Sequence, residues 1–282
     1  MKNKILITGY KGYIGSHLYT KLKEMRHDVC GIDLKEGDDI KHSLPNNDFD
    51  YVFHMAALPS VQYSVENPSY TMLQNVYATS VLLQWAKEHE VKRVIFSSSA
   101  AAIGENGQQI SPYGMHKKMS EMECKLYSQL YGLDTACLRY FNVYSEDQKY
   151  GGAYSTVISA WMHMIRHGSP LRIDGDGEQT RDFIHVDDVV SANIFCMDYE
   201  SRFDGDILNV ASGKSVSLKY IKSLIDNRVD NIEWNVSPSR DGDIKHSVSD
   251  INKMLNLGWH TSVSIEDGMN RCFKNNDTVG ID

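Results

Sequence analysis

The segment Thr8-Gly9-Tyr10-Lys11-Gly12-Tyr13-Ile14-Gly15 follows a short apolar run, residues 5–8, and opens a stretch of helical period, residues 16–26. Strand, glycine turn and helix in that order constrain the chain more than any other feature. Glycines at 9, 12 and 15 permit a tight turn, close approach of a pyrophosphate to the backbone and close helix–strand packing. The helix start then offers unpaired N–H groups to phosphate. Glycines alone prove little, because turns use them for conformational reasons. The second strand-like run, residues 28–34, adds the decisive context: it carries Asp33, 18 residues after Gly15. A carboxylate there accepts both ribose hydroxyls of NAD and repels a 2′-phosphate. NAD is the expected cofactor.

The pattern continues with a strand at 50–55, a helix at 75–89, a strand at 91–97, a long helix at 111–131 and a strand at 135–140. Strands separated by helices predict right-handed βαβ units and a parallel sheet covered on both faces. The second half is less regular, with helical stretches at 154–167 and 186–197 and a strand-like run at 171–173. Gly, Asp and Ser become frequent between these pieces, as in loops that build a site over a sheet edge.

Composition narrows the class of partner. Hydrophobic residues are 41% and charged residues 23% of the 282, a globular balance. With 29 Lys and Arg against 37 Asp and Glu, the net charge of −8 disfavours nucleic acid. No apolar run approaches the roughly 18 residues that span a bilayer, and no signal-peptide region precedes the first strand. Cys30, Cys124, Cys137, Cys196 and Cys272 are odd in number and scattered. They read as reduced thiols, neither a disulfide framework nor a zinc site. The expectation is a cytoplasmic protein with no metal and with neither a membrane nor a nucleic-acid partner.

Val94-Ile95-Phe96-Ser97-Ser98-Ser99 ends a strand in serines, at the edge where α/β sheets bind ligands. Ser111-Pro112-Tyr113-Gly114-Met115-His116-Lys117 then starts a helix with Tyr113 and Lys117 four residues apart, on one face. A phenol titrating near ~10 is a poor base at neutral pH unless cations stabilise the phenolate. Lys117 and the positive nicotinamide ring of NAD do so together, with Ser99 bonded to the same substrate oxygen. Tyr and Lys at this spacing are common on helices; the glycine turn and the serine-ended strand make the combination specific.

These residues resemble the extended short-chain dehydrogenases/reductases, in the NAD-dependent epimerase/dehydratase branch, and most of all the 4-epimerases of UDP-glucose, UDP-galactose and UDP-N-acetylglucosamine. The likeness runs from about residue 3 to about 273. It is carried also by His54-Met55-Ala56-Ala57, Asn75, 138–144 (LRYFNVY), 174–188 (DGDGEQTRDFIHVDD) and Arg240-Asp241-Gly242-Asp243. It implies Ser99, Tyr113 and Lys117 as catalytic, with Tyr113 as the base. Gly9, Gly12, Tyr13, Ile14, Gly15, Asp33, Asp39, Ile40, Ala56, Ala57, Asn75, Tyr113, Lys117 and Tyr140 would line the NAD. Ser99, Asn142, Arg181, Arg240, Asp243 and Ser247 would face the UDP-sugar; guanidinium forks suit phosphates. The fold expected is α/β: a Rossmann-type doubly wound parallel sheet with a smaller α/β C-terminal substrate domain. Residues 1–145 with 182–212 would bind NAD, and 146–181 with 213–282 the nucleotide sugar.

The sequence departs from that family in places. Only residues 34–49 separate Asp33 from the next strand, too few for the usual helix and additional strand, so the sheet should be shortened at its adenosine-side edge. Residues 104–113 are also short, His116 stands where a small or polar residue is usual, and Ser145 replaces a glycine. Dehydratases need an acid–base pair just after the catalytic Ser, where this chain has Ala100 and Ala101, and decarboxylases commonly carry a Glu there. A 4-epimerase needs nothing further, so 4-epimerisation of a UDP-hexose through a 4-keto sugar is the leading expectation. Another nucleotide-sugar-modifying member of the family, a dehydratase, reductase or uronate epimerase, or a non-catalytic regulator that binds NAD or nucleotide sugars, is the alternative. The resemblance also implies a homodimer through a four-helix bundle of residues 71–89 and 111–131, with Leu82, Leu83, Trp85, Ala86, Met119, Met122 and Leu126 as apolar surface. Ser247 would sit beside the sugar's C2 substituent, where a small residue leaves room for an N-acetyl group.

Overall fold

The computed structural model describes residues 2–105, 107–152, 155–238 and 249–278. Arg240, Asp243 and Ser247 lie outside the described residues. In chain order the first 140 residues supply β1 (Lys4–Thr8), α1 (Tyr13–Glu24), β2 (Asp28–Ile32), β3 (Tyr51–His54), α2 (Val61–Glu66), α3 (Pro68–Met72), α4 (Ala78–Glu88), β4 (Arg93–Ser99), α5 (Pro112–Tyr131) and β5 (Thr135–Tyr140). Then come β6 (Asn142–Tyr144), α6 (Val157–Arg166), β7 (Leu171–Asp174), β8 (Thr180–His185), α7 (Val186–Asp198) and β9 (Asp206–Val210). The last elements are β10 (Ser215–Ser217), α8 (Leu218–Asp226), β11 (Trp234–Ser237), α9 (Asn252–Leu257) and α10 (Ile265–Thr278).

The chain divides into two compact units, residues 1–140 with 189–210 and residues 141–188 with 211–282. Strand β8 belongs whole to the second unit, whereas the sequence-based division cut it between 181 and 182. Its hydrogen-bonded neighbours explain the difference: it pairs with β6 on one side and β10 on the other.

The first unit is built on a six-stranded parallel sheet in the order β2-β1-β3-β4-β5-β9. Its apolar runs are buried on both faces, as a parallel sheet flanked by helices requires. Strand β4 extends to Ser99 because Ser97, Ser98 and Ser99 pair with Leu138, Arg139 and Tyr140 of β5. Strand β2 is the edge. Residues 34–49 form a single 3₁₀ turn, Leu34–Glu36, and no strand. They instead lay Ile40, Leu44 and Phe49 on the core beside Leu82 and Trp85, and Pro45 accepts the Trp85 indole N–H at 3.1 Å. Leu82, Leu83, Trp85 and Ala86 are therefore buried within one chain. The expectation that they form a dimer surface is corrected: the apolar stripe of α4 covers the sheet.

The foundation of that sheet is Arg93, buried at the start of β4. It pairs with Asp134 at 2.5 Å, donates to the carbonyls of Cys196, Tyr199 and Ser201, and covers the Phe203 ring.

The second unit holds a three-stranded sheet, β10-β8-β6, and the parallel pair β11-β7. Its core gathers Tyr144, Trp161, Phe183, Ile221, Met269 and Phe273. Asp182, fully buried on β8, accepts from the N–H and hydroxyl of Ser212 and the N–H of Gly213, which fixes the turn into β10. Among the described residues no helix is long and apolar enough to cross a membrane.

Candidate active site

In the first unit, the sequence-predicted residues collect at the carboxyl ends of the parallel strands, where open α/β sheets take their ligands. Gly9 leaves β1 with φ +70°, and a Cβ on it would lie 2.7 Å from the backbone of Ala56. A Cβ on Gly15 would lie 2.2 Å from the Gly9 carbonyl oxygen. Both positions therefore exclude any side chain. Gly12 caps α1 with no side chain to accept from its first N–H groups, and Tyr13, Ile14 and Gly15 form the first turn. Asp33 stands just past β2, its Oδ2 accepting from Lys11 N and its Oδ1 from Lys35 N, both at 2.9 Å. The carboxylate thus braces the glycine turn while each oxygen keeps a further lone pair. Lys11 also pairs with Glu36, and Tyr10 donates to Glu36 at 2.5 Å. A side-chain-free helix start and a braced carboxylate fit a dinucleotide.

Asp39 accepts from the backbone and ammonium of Lys41, and Ile40 packs into the core. Ala56 and Ala57 follow β3. Asn75 lies in a π-turn, Leu73–Tyr77, and spends its amide on Leu58, accepting from its N–H at 2.8 Å and donating to its carbonyl at 3.1 Å. The Tyr140 hydroxyl is buried, accepting from Ser97 and donating to Asn193 at 3.0 Å.

A hydrogen-bond chain beneath these loops was not anticipated from the sequence. Thr79 donates to the Asn75 carbonyl at 2.6 Å, so its oxygen accepts from His54 Nε2 at 2.9 Å. Nδ1 of His54 then accepts from Thr8 at 2.7 Å, and the Thr8 oxygen accepts from Ala56 N. This bookkeeping assigns the Nε2–H tautomer. Burial, aided by the nearby Lys117 charge, pushes His54 down to about 3, so it stays neutral.

The reactive cluster is set by how α5 begins. Ser111 caps it, accepting from Gly114 N at 3.1 Å, with Pro112 at the first helical position. Tyr113 N donates to Ser64 of α2 at 3.1 Å. Ser99 ends β4 close to the Tyr113 phenol, its Oγ accepting from Ala101 N at 3.2 Å. Burial pushes that phenol up to about 12, with the nearby Ser99 hydroxyl opposing it. One turn on, Lys117 donates to the Ser97 carbonyl at 2.6 Å beneath the face of Phe96. Burial pulls its ammonium down to about 8, with Glu121 opposing. Without an added cation nearby, the cluster therefore holds a neutral phenol.

The second unit carries two further residues that the sequence singles out. Asn142 of β6 donates to the Asp182 carbonyl at 2.8 Å, and Arg181 of β8 sits next to it, opposite Val216 of β10. His116 is buried with Nδ1 unpartnered. Ser145 donates to Asp147 at 2.6 Å. Among the described residues no cluster of His, Cys, Asp and Glu would hold a metal ion.

Residues 5–211 match the NAD dependent epimerase/dehydratase family. The UDP-glucose 4-epimerase of Thermotoga maritima, solved with UDP-glucose, is 30% identical with a TM-score of 0.85, covering 96% of this chain and 98% of that one. The UDP-N-acetylglucosamine 4-epimerase of Methanobrevibacter ruminantium, in complex with UDP-N-acetylmuramic acid, is 31% identical with a TM-score of 0.87, covering 97% and 98%. The UDP-glucuronic acid 4-epimerase of Bacillus cereus, with UDP-glucuronic acid and NAD, is 27% identical with a TM-score of 0.84, covering 98% and 100%. The glycine turn, the braced Asp33 and the Ser99–Tyr113–Lys117 cluster lie within a match that spans most of the sequence: the chain belongs to the NAD-dependent epimerase/dehydratase family of enzymes that act on nucleotide sugars.

Proposed function

We propose that this enzyme is a 4-epimerase of UDP-hexoses, interconverting UDP-glucose and UDP-galactose through a 4-keto sugar. The observation that carries the reading is the cluster of Ser99, Tyr113 and Lys117 followed by a 3₁₀ turn, Ala100–Ala102, with no side chain able to carry a proton. Tyr113 takes the proton of the sugar's 4-hydroxyl, and Ser99 holds that oxygen. Lys117 supplies the positive charge that favours the phenolate. Bound NAD supplies a reversible hydride acceptor. Elimination or decarboxylation needs acid–base groups that the turn lacks.

Asn142, Arg181, Arg240 and Asp243 are proposed to hold the nucleotide diphosphate, with Arg181 and Arg240 on the phosphates. Ser247 is proposed to leave room for an N-acetyl group, which extends the substrates to UDP-GlcNAc and UDP-GalNAc. The homodimer is proposed to use surface that remains exposed on residues 71–89 and 111–131: Leu73 and Tyr77, with Met115, Met122, Leu126 and Leu130.

The test is incubation of purified protein with UDP-galactose, followed by chromatography of the nucleotide sugars. UDP-glucose at a stable ratio is the expected product. No turnover of any UDP-hexose would favour a binding protein that retained the fold.

A further inference from the structure

Behind the Tyr113–Lys117 pair lies a buried charged cluster that the chemistry above does not use. Glu121 is on α5, one turn after Lys117 and two after Tyr113, and is 1% exposed. A carboxylate at that depth is tolerated only when paired and fully hydrogen-bonded. Its Oε1 accepts from Ser98 Oγ at 2.6 Å and from Arg139 Nε at 2.7 Å; its Oε2 accepts from Arg139 Nη2 at 2.7 Å. The Lys118 ammonium stands 3.7 Å away.

The positions of these partners matter. Ser98 lies between Ser97, whose carbonyl holds Lys117, and Ser99, whose hydroxyl stands near the Tyr113 phenol. Arg139 is on β5, directly paired with Ser98. One carboxylate therefore fastens the catalytic helix to the carboxyl ends of both central strands.

We propose that Glu121 is the positioning residue of the Tyr113–Lys117 pair, fixing α5 against the serine end of β4 and supplying the negative charge that keeps Lys117 an ammonium. The proposal rests on reading Tyr113 as the base. The remaining groups around Lys117 bring no negative charge. Cys124 on its own helix and Cys137 on β5 stand beside it, the Cys137 thiol pushed well up by the adjacent Cys124 and by burial. His54 on β3 is neutral, Phe96 of β4 presents its ring, and the Asn75 carbonyl of the π-turn bonds Ser120.

The test is titration of the Lys117 Nζ by nitrogen-15 NMR of lysine-labelled protein, with Lys117→Met identifying the resonance. In Glu121→Gln the midpoint is expected to fall by about one unit, as for loss of a neighbouring opposite charge. Glu121→Asp should restore it. Because Glu121→Gln strands a buried guanidinium, the titration is repeated on Glu121→Gln/Arg139→Gln, which buries no unpaired charge. Its midpoint should also fall, though by less than in the single variant, because a positive charge is removed together with the negative one. A Lys117 midpoint unchanged in the folded variants overturns the proposal. In turnover, the alkaline limb of kcat should move down with the same variants. A wild type that turns over no UDP-hexose would instead defeat the functional reading, and the titration would still decide the role of Glu121.

Discussion

Lys117 donates a 2.6 Å hydrogen bond to the main-chain carbonyl of Ser97, two residues before the serine that stands near the Tyr113 phenol. The end of β4 thus holds Lys117, and Tyr113, the proposed base, stands one helical turn before it.

Removing the base should therefore remove turnover without removing the site. Tyr113→Phe is expected to lower kcat by about 10²–10⁴-fold while NAD content and fold persist, the usual scale of general-base loss. Steady-state kinetics with UDP-galactose checks this, and wild-type turnover in the variant would rule out the assigned mechanism.

The Tyr113 phenol, pushed up to about 12 by burial, should show no ionisation at neutral pH in NAD-free protein. The sign follows from charge: a nearby positive ring favours the phenolate, so bound NAD should lower the midpoint by one unit or more. The measurement is the 295 nm absorbance difference between wild type and Tyr113→Phe across pH, with and without NAD. Identical curves would mean that the cofactor's charge does not reach the phenol.

Gly15→Ala places a methyl 2.2 Å from the Gly9 carbonyl oxygen, so the turn must open. Protein purified from this variant should carry little NAD and gain little thermal stability when NAD is added. Full NAD occupancy in a folded Gly15→Ala would contradict the assignment of this turn.

Asp134→Asn leaves Arg93 buried without its carboxylate. Breaking such a pair typically costs about 3–5 kcal/mol, so the urea midpoint should drop markedly with no change in the m-value. A midpoint equal to wild type would show that the three carbonyls on Arg93 suffice.

Much of the first unit was legible in the sequence because its signals are local. The turn at Gly9–Gly15, Asp33, and the Tyr113–Lys117 spacing each sit within one element, and the shortness of 34–49 follows from counting residues. What escaped was decided by tertiary partners. The serines at 97–99 were legible as a strand end, but their partners at 138–140 in the ladder were not. Leu82, Leu83 and Trp85 looked available for a dimer because the sequence does not say which side of α4 the sheet covers. Glu121 was visible as the fourth residue after Lys117, but its importance depends on Ser98 and Arg139, which come from two other strands. His54 likewise stands in a recognised motif, while its partners Thr8 and Thr79 come from β1 and α4. The small strands of the second unit, such as Asn142–Tyr144 and Ser215–Ser217, are too short to show a period.

The proposed epimerisation oxidises the sugar at C4 and reduces it again with the same hydride. UDP-galactose deuterated at C4 should give UDP-glucose with the deuterium still at C4, read by mass spectrometry and proton NMR of the product. Product with hydrogen at C4, or no UDP-glucose at all, would contradict it.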